Sequence, residues 1–243
     1  MKAIGHSLPS RRTVLTLALV AGTLVLAACG SRPATAPELP TVTRIMVIPV
    51  APIDKLHTEN KGVPLGVLWQ SIADRVKGSE FNERMEAVRK DMGPKMTAAL
   101  VQQLNALGYQ AQALEGVSRP AASPDHIAYG KLPTSEPVLH VYFNEVGMYS
   151  ARFSTDYVPR VNLSVDLMTG SDHDSVYSET IYYGADASGE SSRSVPANAR
   201  DRWGSFGELV AKPQEVTRSY DDAVTALATR IAKNIRASTA PPR

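Results

Sequence analysis

The stretch Arg160–Met168, RVNLSVDLM, narrows the possible folds most. Val161, Leu163, Val165 and Leu167 fall on one side of an extended chain, and Asn162, Ser164 and Asp166 fall on the other. Successive side chains of a strand point to opposite faces. Such alternation belongs to a sheet with one face on a core and the other solvated or covered only by loops. Val176–Tyr183, VYSETIYY, follows across the turn TGSDHDS, and the two segments read as a hairpin. Val138–Met148, VLHVYFNEVGM, reads as a further strand before them.

The N-terminal half has a different rhythm. Arg44–Val50, RIMVIPV, is short, apolar and β-branched, and reads as a buried first strand. After a polar loop, Leu65, Leu68, Trp69, Ile72 and Val76 fall at helical spacing. Phe81, Met85, Val88 and Met92 form a second stripe, with Glu86 and Lys90 paired at i,i+4. Gly93-Pro94 is expected to interrupt that helix. Met96, Leu100, Leu104 and Leu107 form a third stripe, with Gly108 suited to the C-cap, and Tyr109–Leu114 reads as the next strand.

Gly116–Pro137 holds four prolines and reads as a long loop. Ala185–Asn198 is Ser/Gly-rich and reads as a mobile loop. Val216–Ile235 is a long helix with Val216, Tyr220, Ala223, Val224, Leu227, Ile231 and Ile235 on its apolar face. This order of elements predicts an α/β (α+β) two-layer sandwich. Its mixed sheet has about five strands, with helices mainly on one face.

The first 28 residues read as a targeting segment. Lys2, Arg11 and Arg12 form a basic start, and Val14–Leu26 is an apolar run too short to span a bilayer, which takes about 20 residues. The single cysteine, Cys29, follows at once. Leu26-Ala27-Ala28-Cys29 resembles the bacterial lipoprotein signal, in which the cysteine is acylated and becomes the first residue. An ordinary signal peptide cut after small residues, with Cys29 idle, is the alternative. The resemblance implies a protein anchored to a membrane without spanning it. Gly30, in place of the aspartate that retains such proteins in the inner membrane, implies the outer one, with the domain facing the periplasm of a Gram-negative bacterium. Ser10-Arg11-Arg12-Thr13-Val14-Leu15 is similar to the twin-arginine export motif but fits better the basic start of a general secretory signal. Residues 29–43, rich in proline, read as a tether, residues 44–236 as one domain, and residues 237–243 as a polar tail.

Composition supports this division. The chain has 26 basic and 24 acidic residues, and three of the basic ones lie in the targeting segment, which leaves 23 against 24. That balance gives no reason to expect a nucleic-acid partner. With one cysteine, no intramolecular disulfide can form.

Motifs for chemistry are sparse. Asp172-His173-Asp174 is the most metal-like cluster, yet three consecutive turn residues rarely converge on one ion, and a plain turn is expected. His140, in an apolar strand, reads as a satisfied core or edge residue. No Gly-rich phosphate loop, H-E-x-x-H or G-x-S-x-G is present. No catalytic residue, metal or cofactor is expected. Trp69, Trp203 and Phe206 lie beside loops, and such rings are enriched at protein contacts. They are candidates for a partner-binding face, with core filling as the alternative.

A lipoprotein signal, a Pro-rich tether, RIMVIPV, then a helix and LGY is similar to periplasmic α/β domains of the TolB amino-terminal and curli-secretion lipoprotein type. The strand pair VNLSVDLMTG and VYSETIYYG before SYDDAVTALATRIAKNI resembles auxiliary lipoproteins of ABC-type envelope transporters. Both resemblances imply a non-enzymatic accessory role beside an envelope protein. A lipid- or small-ligand-binding module is the second expectation, and a periplasmic hydrolase the third.

Overall fold

The computed structural model describes residues 39–60, 78–120, 123–151, 154–169 and 172–240. Seven strands build one mixed sheet. They are β1 (Arg44–Val47), β2 (His57–Asn60), β3 (Gln110–Ala113), β4 (Val138–Ser150), β5 (Tyr157–Met168), β6 (Ser175–Gly184) and β7 (Ser194–Val195). The helices are α1 (Glu86–Ala106), α2 (Phe206–Ala211) and α3 (Pro213–Ser238), with a helical segment at 78–84 leading into α1. The α+β architecture expected from the sequence is present. The two extra strands are short: β2 lies in a polar segment expected to be loop, and β7 in Ala185–Asn198, expected to be a mobile loop.

The sheet runs β3-β1-β4-β5-β6-β7. Its centre is antiparallel, β4 with β5 and β5 with β6, and its flanks are parallel. β1 lies beside the start of β4 and β2 beside its end, so the two act as one interrupted strand along that edge.

The alternation in β5 does what it implies. Val161, Leu163, Val165 and Leu167 are fully buried in the core that also takes in Leu100 and Leu104 of α1 and Leu227, Ile231 and Ile235 of α3. In β4 the parity changes midway. Leu139 and Val141 face the core, the register shifts between Phe143 and Glu145, and from there Val146 and Met148 face it. Asn144 is the extra residue of this bulge, which re-aims the rest of the strand. Gly147 is required where β2 crosses close to β4, because a Cβ there would lie 1.9 Å from the His57 carbonyl oxygen.

Three expectations are corrected. Gly93-Pro94 does not break the helix, and α1 runs through both. Helix and loop nearly touch here, since a Cβ on Gly93 would come within 2.5 Å of the Ala51 carbonyl oxygen. Packing of Val88, Met92, Met96 and Leu100 on both sides of the proline holds the helix together. Residues 41–43 are not tether, and residues 237–240 are not a free tail. Thr41 bridges Ala240, Val42 is 3% exposed and Thr239 is 1% exposed.

Candidate functional site: a charge-free groove at the sheet edge

Beyond the core, the open sheet face carries the polar side chains of β5 and its neighbours. Arg160 donates to Glu145 at 2.8 Å, Glu59 at 3.1 Å and Asp186 at 3.0 Å. The Arg160 guanidinium also lies 4.0 Å from the centre of the Tyr149 ring. Burial opposes its charge, but the hydrogen bond that it donates to Glu145 and the nearby Asp186 carboxylate outweigh that, and its pKa is raised. Glu179 shows the same contest from the acidic side. Burial would raise its pKa, but the hydrogen bonds from Tyr177, Ser192, Asn234 and Arg193 hold it below the usual carboxylate range.

Segments 114–120 and 123–137 cover the other end of this face. A small apolar cluster of Ile48, Leu114, Ile127, Val138 and Met168 lies beneath them. The Arg119 guanidinium donates to the carbonyls of Pro49 and Pro124. Tyr129 Oη lies 2.7 Å from His140 Nδ1. His140 is 2% exposed, and burial, then the Arg119 charge, push its pKa down to about 4 against the pull of Asp166. Its Nε2 has no partner among the described residues. The expectation of a satisfied histidine thus holds for one ring nitrogen.

Another opening lies between α1 and the outer edge of β3, as an apolar groove of about 630 Å³. Pro94, Ala98 and Val101 form the helical wall, Ala111 and Ala113 the strand wall, and Val50 closes one end. From Met96 to Leu114 the chain contains no charged residue, although the protein carries 26 basic and 24 acidic side chains. Polar groups at the groove are largely occupied. Thr97 Oγ1 accepts from the Val50 N–H at 2.8 Å and donates to the Gly93 carbonyl at 3.1 Å.

One position on the edge of β3 is also occupied. Gln110 and Leu114 donate to the carbonyls of Thr43 and Val47 on the β1 side, so alternation turns the main-chain groups of Ala111 outward. Asn105 meets both of them, Oδ1 accepting from Ala111 N–H at 2.8 Å and Nδ2 donating to its carbonyl at 3.0 Å. An unpaired edge invites another strand, and here a side-chain amide stands where that strand would bind.

The expected site residues fare unequally. Leu26, Ala27, Ala28, Cys29 and Trp69 lie outside the described residues. Trp203 is 1% exposed and belongs to the core, where its backbone bridges Tyr157. As a contact surface it is corrected. Phe206 is partly buried and meets Phe81 and Tyr157 edge-on, with ring centres 6.1 and 5.8 Å apart. Trp203 fills the core, while Phe206 packs against it and stays partly exposed. Among the described residues no three His, Cys, Asp or Glu side chains group to hold a metal ion. The groove was not legible in the sequence: the uncharged run Met96–Leu114 marks its two walls but not that they meet.

No family model matches the chain, and no curated protein matches it. Among solved structures it is similar to a Xanthomonas campestris protein of the DUF330 family, with 13% identity over 83% of this chain and 89% of that one, at a TM-score of 0.42. It is similar to PelC of Paraburkholderia phytofirmans, a dodecamer, with 13% identity over 83% and 94% of the two chains, at a TM-score of 0.37. A lipoprotein of Neisseria meningitidis matches with 15% identity over 72% and 98%, at a TM-score of 0.25. Likenesses at these scores carry no argument about function. No helix among the described residues is long and apolar enough to cross a membrane.

Proposed function

We propose that the protein is a non-catalytic lipoprotein, anchored through Cys29 to the outer membrane and facing the periplasm, that serves as an accessory or scaffolding subunit of a cell-envelope complex. The observation that carries this reading is Leu26-Ala27-Ala28-Cys29 placed between an apolar run and a Pro-rich tether. On the open sheet face Arg160 is held by three carboxylates, an arrangement suited to holding shape.

The test is in-cell cross-linking and co-purification from membranes, comparing the natural chain with Cys29→Ser. Capture of a defined envelope protein by the natural chain, lost in the soluble variant, is the expected result. Capture of no protein by either form overturns the accessory reading.

A second reading, a lipid- or small-ligand-binding module, is favoured by one observation. The apolar groove beside β3 has a volume within the range of about 300–1,000 Å³ found for ligand pockets.

A further inference from the structure

We infer that the groove between α1 and β3 binds the aliphatic chain of a lipid, taken up as an acyl chain and not as a peptide strand. The inference rests on the second reading above and names its ligand and its seat. Three observations carry it.

The first concerns charge. The lining is drawn from Pro, Val, Ala, Thr and Gln, and none of its side chains can pair with an ion. A charged ligand placed there would be desolvated without compensation. An uncharged one complements the site.

The second is that part of the hydrogen-bonding capacity at the groove is already taken. Thr97 uses its hydroxyl both to accept from Val50 N–H and to donate to the Gly93 carbonyl. Gln112 directs its amide to Met46 Sδ at 3.3 Å. A polar small molecule would find Gln102 and little else. A ligand that makes no hydrogen bonds loses nothing.

The third disfavours an added strand at Ala111. Strand addition draws its affinity from main-chain hydrogen bonds to an open edge. Asn105 already pairs with both outward groups of Ala111. A strand would have to displace that amide, which would then need new partners. An aliphatic chain has no main-chain groups to satisfy, and it lies against Ala98, Val101, Ala111 and Ala113 with Asn105 undisturbed. Burial of its methylenes is the driving force.

The test uses the full-length chain carrying Cys29→Ser, which removes the expected acylation site and with it any acyl chain of the protein's own. The probe is palmitate bearing a photoactivatable diazirine, competed with unlabelled palmitate and with an uncharged, amphipathic helical peptide, and the cross-links are mapped by mass spectrometry. Saturable labelling within residues 94–113 is expected, competed by palmitate and not by the peptide. Ala98→Trp, which fills the groove from an exposed helix position, should lower it at least about tenfold, while Lys233→Trp on α3 leaves it unchanged. Circular dichroism of both variants establishes that they fold, and Val101→Glu provides a second block should Ala98→Trp not fold. Saturable labelling elsewhere, unchanged by Ala98→Trp, overturns the groove assignment and leaves a lipid-binding module standing. Competition by the peptide and not by palmitate overturns the acyl assignment. No saturable labelling overturns both this inference and the second reading.

Discussion

Asn105 and Ala111 are paired as two strands would be, the side-chain amide of one matching the N–H and carbonyl of the other at 2.8 and 3.0 Å. A helix residue thus closes one position of the sheet's outer edge. Removing it leaves a donor and an acceptor unpaired on an exposed strand. Asn105→Ala should cost about 1–2 kcal/mol in urea unfolding and raise self-association measured by light scattering. If the variant stays as monodisperse as the natural chain, the amide does not guard the edge.

Arg160 holds Glu59, Glu145 and Asp186 together. Arg160→Met removes the cation and leaves three carboxylates facing one another. The cost should be about 1–3 kcal/mol near neutral pH, since the carboxylates are partly exposed. It should shrink as pH falls through the carboxylate range, because protonation relieves the repulsion. Urea titrations of both proteins between pH 7 and about pH 4 read this directly, and a cost that does not change with pH counts against the network.

His140 makes stability sensitive to mild acid. Its pKa falls from 6.5 to about 4 in the folded state, burial being the main cause. Between those values the unfolded chain binds a proton that the folded chain refuses, so stability declines as pH drops. The contribution is complete above pH 6.5, is lost progressively toward pH 4 and levels off below. The total is of the order of 3 kcal/mol. His140→Gln should flatten this part of the thermal stability profile. A slope between pH 6.5 and 4 that is the same in both proteins would falsify the assignment to His140.

Gly147 is a steric requirement. A methyl group there would meet the His57 carbonyl oxygen at 1.9 Å and its carbon at 2.7 Å. Gly147→Ala should therefore cost about 1–3 kcal/mol or more and displace β2 from β4. Gly130→Ala, where nothing lies within 4 Å, should be close to neutral. Chemical denaturation of the pair, with amide exchange in residues 57–60, tests both claims.

Much of the sheet was legible in local pattern. The β5 alternation located the core face because strand side chains alternate whatever the rest of the chain does. The parity change in VLHVYFNEVGM already held the bulge at Asn144, where the apolar positions move from 139, 141 and 143 to 146 and 148. β2, HTEN, was not legible. Its four residues are polar and at most half-buried, and they are strand only because β4 offers them an edge. Gly93-Pro94 misled for the opposite reason. Helix propensity there is poor, and tertiary packing overrides it.

The candidate site divides along the same line. By itself the sequence determined the cysteine, its apolar run and the tether, and so the expectation of an anchor, because acylation and export signals are read from a local segment. It also determined which segments alternate and which repeat at helical spacing. Only the tertiary structure decided that Trp203 fills the core and offers no surface, that Arg160 gathers carboxylates from β2, β4 and the loop after β6, and that an uncharged helix face meets an edge strand to form a groove. Those results depend on residues from 15 to 101 positions apart in the chain. Which distant segments meet is set by packing and register, and no local pattern encodes them.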